Sequence, residues 1–232
     1  QINLAIAGIA IGVVLLPQLS KYISKKNKTK IELIQNKALE LSLFLSLPAS
    51  IALLIASEEI ISALFGYGKF NESSVYNSAR ALYFFSIGLP AFAMIKVFSS
   101  FFFANHDTKT PFYISLLSVA LNILISVYFF NSIGFIIIPI ATTLSSLFNL
   151  IALFFLLKKK KLFNFNDIFI KRFFKIIFAS ILMGLFFNYL INLFYEQLAF
   201  ENSLKSIYLI VSVVLGLCFY LLISYLIKAF QL

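Results

Sequence analysis

The chain has 232 residues, 61% of them hydrophobic and only 12% charged, whereas an average soluble domain is nearer ~45–50% apolar and ~25% charged. A soluble core has no use for so much apolar surface, and the apolar residues fall in blocks of about twenty, the length that crosses ~30 Å of hydrocarbon. The formal charge of +10 would suggest nucleic acid in a soluble protein, but here the lysines cluster between apolar blocks, where they orient a chain in a membrane, so nucleic acid is not expected as a partner.

The chain opens on Gln1 in an apolar run with no basic region before it, unlike a signal peptide; it reads as a piece that starts inside a longer protein. Seven apolar segments follow, at residues 2–19, 41–57, 81–104, 112–131, 134–157, 176–195 and 206–227, and Lys96 is the one charge inside them. In the first, Gly8 and Gly12 form a GxxxG spacing that admits close approach of another helix. Ser42, Ser46 and Ser50 recur at four-residue intervals in the second. From Thr110 to Leu157, 48 residues pass without a charged side chain, too many for one crossing, so a turn at Asn131–Gly134 is expected to make a helical hairpin. Pro17, Pro48, Pro90 and Pro139 each fall in a segment and should bend its helix. Cys218, the lone cysteine, is expected to be a small packed side chain.

Counting Lys and Arg by connection, with alternate segments reversing direction, places fifteen on one side and three (Lys69, Arg80 and Lys205) on the other. The basic side, which includes loop 20–40, loop 105–111, loop 158–175 and the C-terminal tail, is therefore expected to be cytoplasmic. Residues 162–175 place Phe165, Ile168, Phe169 and Arg172 or Phe173 at helical spacing after an Asn166–Asp167 start, which suggests an interfacial helix on an anionic leaflet, the alternative being a plain basic linker. Before the fourth segment, Thr110 can cap the helix with Pro111 in its first position.

Catalytic and nucleotide-binding signatures are absent, as are Cys/His clusters, so neither an enzyme nor a metal or cofactor site is expected. His106 beside Asp107 reads as a solvated turn residue. Polar residues within the segments say more, because in hydrocarbon they must find partners or line a wet cavity. Ser115, Ser118, Asn122 and Ser126 share one helix face, and Thr142, Ser145, Ser146 and Asn149 share a face of the returning helix. These stripes are either packing seams or a cavity lining. Lys96 lies about eight residues, or ~12 Å, from the end of its segment. It either snorkels to the interface or faces a water-filled pathway. Lys96, Ser99, Asn122, Ser126 and Asn149 are the candidate pathway residues.

Four stretches carry a family resemblance: GIAIGVVLLPQLS (8–20), LPASIALLIASEEIISALFGYGKF (47–70), ARALYFFSIGLPAFAMIKVFSSFFFANHDTKTP (79–111) and the polar hairpin that follows. Together they resemble the C-terminal half of the MurJ/MviN lipid II flippases of the multidrug/oligosaccharidyl-lipid/polysaccharide exporter superfamily. The third is the most specific, joining a buried lysine, an aromatic run and a DTKTP turn. The resemblance implies an all-α membrane protein of about seven transmembrane helices, the C-terminal lobe plus the two final helices of a fourteen-helix flippase. Residues 1–157 would be that lobe, 158–175 a basic interfacial linker, and 176–232 the last pair, bordering a groove for a lipid tail. It also implies that Lys96 and the turn Asp107, Thr108, Lys109, Thr110 and Pro111 match family motif positions, with Ser100, Asn105 and His106 as departures. The implied function is flipping of undecaprenyl-diphosphate-linked disaccharide-pentapeptide across a bacterial inner membrane by alternating access. No bond is made or broken, the implied partners are membrane lipids and an N-terminal lobe, and the C-terminus is cytoplasmic.

Other readings keep the fold: an exporter of another lipid-linked oligosaccharide or polysaccharide, a drug/cation antiporter, or a non-transporting membrane scaffold. The seven segments contain no Asp or Glu, which argues against the antiporter, whose cavity is expected to be acidic.

Overall fold

The computed structural model describes residues 11–229, and among these the regular structure is helical. In chain order the helices are α1 (Ile11–Ser24), α2 (Lys28–Ile55), α3 (Ser57–Phe65), α4 (Glu72–Ala104), α5 (Lys109–Ile133), a 3-10 turn (Gly134–Ile136), α6 (Ile137–Lys159), α7 (Asp167–Leu193), the single turn α8 (Tyr195–Leu198) and α9 (Lys205–Leu226). Five stretches are long and apolar enough to cross a membrane: α2, α4, the 51 residues from α5 through α6, α7 and α9. The 51-residue stretch holds two helices, of 25 and 23 residues, so six of the seven expected crossings have their long helix among the described residues. The first expected segment is described only from Ile11, and Gly8 of the Gly8–Gly12 pair lies outside the described residues.

The helices start well outside the apolar runs, because a helix propagates as long as each new N–H finds its carbonyl, whatever the side chain. Most of the expected loop 20–40 is therefore helix, and the connection shrinks to a turn around Lys26, at φ 52°. Four starts carry an Asn or Asp side chain that accepts an otherwise orphaned backbone N–H. Asn27 takes that of Lys30 at 3.1 Å, Asn71 that of Ser74 at 3.0 Å, Asp107 that of Thr110 at 3.0 Å and Asn166 that of Phe169 at 2.7 Å. The Asn166 start was expected. The α5 cap is a correction: Asp107 supplies it, Thr110 receives it, and Pro111 is the third residue of the helix, two further in than expected.

Gly134 ends α5 at φ 75°, a left-handed conformation that suits glycine, and its N–H donates to the Phe130 carbonyl. This is the expected hairpin turn. Pro17, Pro48 and Pro90 lie inside continuous helices. Pro139 occupies the first turn of α6 instead, where its missing N–H has no helical partner to lose, so it starts that helix. Residues 162–166 form no regular structure, and 167–175 form the first turns of α7; no separate interfacial helix forms there. Cys218 is exposed on α9, not packed within the chain.

The chain forms two compact units, with boundaries inside α2, α4 and near the start of α7: one comprises the described residues up to Ser46 with Gly88–Phe174, the other Leu47–Ile87 with the described residues from Lys175. An aromatic chain runs through the first. Phe98 stacks on Phe154 at 6.1 Å, Phe101 stacks on Phe163 at 5.6 Å, and Phe165 stacks on Phe169 at 5.2 Å. In the second, Ile61, Val75 and Ala79 form a small core with Phe70, Leu82 and Phe200. There α2 meets α4 through the Ser50 hydroxyl, which donates to the Ser86 carbonyl at 2.6 Å. It also runs close to α7, where a Cβ at Gly184 would lie 2.6 Å from Ile51 Cγ2.

Candidate functional site

The polar stripes of the hairpin face one another. Asn122 Nδ2 donates to Thr142 Oγ1 at 3.0 Å and Ser145 Oγ at 3.3 Å, so α5 and α6 are bridged within the hydrocarbon-length region. Most of the other hydroxyls turn back onto their own helices: Ser118 donates to the Ile114 carbonyl at 2.8 Å and Ser146 to that of Thr143 at 2.7 Å. The stripes thus make a packing seam, as polar side chains between membrane helices commonly do.

The same residues line an open groove of about 340 Å³. Its third wall is α4, which contributes Phe92, Ile95 and Lys96. Gly88 makes room there: a Cβ at that position would lie 3.0 Å from the Phe92 ring and 3.0 Å from Thr143 Oγ1. Seam and lining are therefore two sides of one arrangement. Lys96 is exposed toward the groove, and among the described residues the ion pairs, Lys160–Asp107 and Arg172–Glu40, do not include it. Asn149 is 8% exposed and lines the groove, with its Oδ1 buried and unpartnered among the described residues.

Of the sequence candidates, Lys96, Asn122 and Asn149 come together in the groove. Ser126 stands one turn from Asn122 and donates to its Oδ1 at 3.4 Å. Ser99 is half-buried on α4 and does not line the groove. The motif turn forms a separate cluster. Asp107 accepts from Lys160 Nζ at 2.5 Å and from the Thr110 hydroxyl at 2.7 Å, and Lys160 also donates to Thr110 Oγ1 at 2.9 Å. The Lys160 ammonium beside it holds the Asp107 carboxyl down at about 2. Pro111 is buried, while Thr108 and Lys109 are exposed.

Two charged sites had no sequence signal. Arg172 binds both Glu40 carboxylate oxygens at 3.1 Å, beside a second docking point where Gln35 donates to the Leu162 carbonyl and Asn36 to that of Asn164, each at 2.9 Å. Glu40 falls one residue before an apolar run, outside the marked segment, yet well inside α2, and its carboxylate is bound to an arginine. Lys205, expected on an external loop, is only 2% exposed. Its Nζ donates to the carbonyls of Gly66 at 2.8 Å and Phe200 at 2.6 Å and sits 4.5 Å from the Tyr67 and Phe200 ring centroids. Pairing across 139 residues of sequence leaves no local pattern to read.

Long apolar helices, two of them bridged by polar side chains beside an open groove that holds Lys96, define a multi-pass helical membrane protein. The chain belongs to the MurJ family: the family model described as "Lipid II flippase MurJ" matches residues 1–209. A "Probable lipid II flippase MurJ" of Thermotoga maritima is 34% identical over 232 residues, covering 100% of this chain and 44% of the relative. One of Rhizobium meliloti is 40% identical over 134 residues, 58% of this chain and 25% of the relative. The chain thus spans less than half the length of these relatives. A solved structure titled "Lipid II flippase MurJ, inward closed conformation" shares the fold, with a TM-score of 0.77 at 23% identity over 97% of this chain and 44% of that one.

Proposed function

We propose that the chain forms part of a lipid II flippase, which moves the undecaprenyl-diphosphate-linked disaccharide-pentapeptide from the cytoplasmic to the periplasmic face of the inner membrane by alternating access. The groove between α4 and the α5–α6 hairpin is its share of the substrate pathway. The observation that carries this is Lys96, a cation on a membrane-length helix that faces a groove where no carboxylate among the described residues neutralises it; such a charge marks a route for polar cargo. The chain works with an N-terminal lobe that completes the cavity, and the helices from Lys175 onward serve the lipid tail. Ser99, Asn122, Ser126 and Asn149 shape the pathway or its walls, and the Asp107–Pro111 turn fixes the entry to α5. The chemistry required is binding and release, with no covalent step.

Depleting the full-length protein and measuring externally accessible lipid II tests the reading. Accessibility should fall and be restored by the wild type; unchanged accessibility with normal walls overturns it. The charge bias supports a cytoplasmic C-terminus. Single cysteines at Ser73 and Ser203 should then label from the periplasm and one at Lys159 should not, and the reverse pattern would refute that orientation.

A further inference from the structure

We propose that residues 162–172 form a strap that stays locked on α2 throughout the transport cycle, with Asn36 as the positioning residue that sets its register. The connection from α6 to α7 is then a brace and not a hinge. The cycle rests on the flippase reading, whereas the lock is argued from its own contacts.

Residues 162–166 join two long helices without regular structure, and such a connection is where a hinge is ordinarily sought, because loop residues absorb changes in φ and ψ. Here the main chain is held instead. Asn36 uses both halves of its amide: Nδ2 donates to the Asn164 carbonyl at 2.9 Å, and Oδ1 accepts from the Asn166 N–H at 3.3 Å. One side chain thereby grips the strap at two points. Beside it Gln35 Nε2 holds the Leu162 carbonyl at 2.9 Å, and one turn further along α2 Glu40 receives Arg172. Gln35, Asn36 and Glu40 are all buried.

Phe163 adds an apolar anchor between these polar ones. Its ring is buried, stacked on Phe101 at 5.6 Å and 5.9 Å from Phe98, so the strap is pinned to α4 as well. All of these contacts lie within the first compact unit. Release would strip a buried amide of its main-chain partners, leave a buried carboxylate without its arginine and draw a packed ring out of its site, each of which costs free energy. A hinge gives up little when it moves. This connection would give up much, so the motion of the cycle falls elsewhere in the chain.

The test uses the full-length protein with its other cysteines replaced by serine. Lys37→Cys and Asn164→Cys put thiols at two exposed positions, one on α2 and one on the strap, and keep the lock, which uses only the main chain of residue 164. Spin labels on this pair in nanodiscs should give one interspin distance, the same with and without lipid II; a second distance that appears with lipid II would overturn the proposal. In cells, joining the two thiols with a membrane-permeant bifunctional maleimide should leave externally accessible lipid II within about twofold of the unjoined protein. A loss on joining would show that the strap must release. Adding Asn36→Leu should spread the interspin distance and lower accessible lipid II, and the same joining should restore it. An unchanged distance would remove the positioning role, and Gln35→Leu takes its place if Asn36→Leu does not fold. Should the wild type itself fail to restore accessible lipid II after depletion, the flippase reading falls, while the interspin distances still decide whether the strap stays docked.

Discussion

Lys205 and Lys96 both belong to long apolar helices, and they live opposite lives. Lys205 is enclosed, with carbonyls of Gly66 and Phe200 on its ammonium and two aromatic rings against it. Lys96 is open to a groove and forms no ion pair among the described residues. In a low-dielectric setting a charge must be compensated by fixed protein groups or by something that arrives. A saturated lysine is thus part of the scaffold, while under the proposed function Lys96 meets its partner in the cargo. If so, charges whose partners are built in should govern stability, and Lys96 should govern transport.

The largest stability loss is expected where two charges hold each other. Glu40→Ala leaves Arg172 in a confined site without its carboxylate, and breaking a buried pair this way costs about 3–5 kcal/mol. Unfolding of the full-length protein in detergent by chemical denaturant should show it. A cost below about 1 kcal/mol, the level of an exposed pair, would mean that the 162–172 segment is held by Gln35 and Asn36 alone. Lys205→Met comes next: it keeps the aliphatic stem but strips two buried carbonyls of their donor, at about 2–3 kcal/mol. A variant that unfolds like the wild type would erase the contrast between the two lysines.

The crossings were legible in the sequence because apolar runs of membrane length have few other uses. Their ends were not. The α2 helix runs back to Lys28 and α4 to Glu72, since backbone hydrogen bonding continues through charged residues until an Asn or Asp cap stops it. The hairpin faces were visible at spacings of three and four, and Gly134 marked the turn. That α4 would bring Lys96 and Phe92 to the same groove was not visible, because helix pairing leaves no trace in local periodicity. Ser99 shows the limit: three residues from Lys96, it still misses the groove. That Lys205 would be buried was not visible for the same reason, its partner Gly66 being remote in sequence.

A smaller effect is expected at the Asp107 turn, which lies outside the membrane-length helices. Asp107→Ala removes the α5 cap, at about 1 kcal/mol. Its dependence on pH follows from the carboxyl being held at about 2 against an ordinary value of 3.8. A group with a lowered folded value adds stability that is fully present above its ordinary value and is lost as pH falls through the folded one. The stability gap between wild type and Asp107→Ala should therefore stay level from neutral pH to about 4 and narrow between about 4 and 2. A gap that closes above pH 5 would show that Lys160 does not hold the carboxylate.

The smallest stability effect and the clearest functional one should coincide at Lys96. Lys96→Gln removes a charge that no described carboxylate neutralises and leaves a side chain of similar reach, so its unfolding should shift by no more than about 0.5 kcal/mol, as at an ordinary exposed position. Externally accessible lipid II in cells that rely on this variant should nonetheless fall, because the groove would lose the one cation among its described lining residues. If flipping persists, Lys96 is an anchor that snorkels to the interface, and the groove must select its cargo by neutral groups alone. If stability falls by as much as for Lys205→Met, Lys96 is scaffold, and the distinction between built-in and arriving partners fails. A stable protein that cannot flip is the result that separates the two lysines.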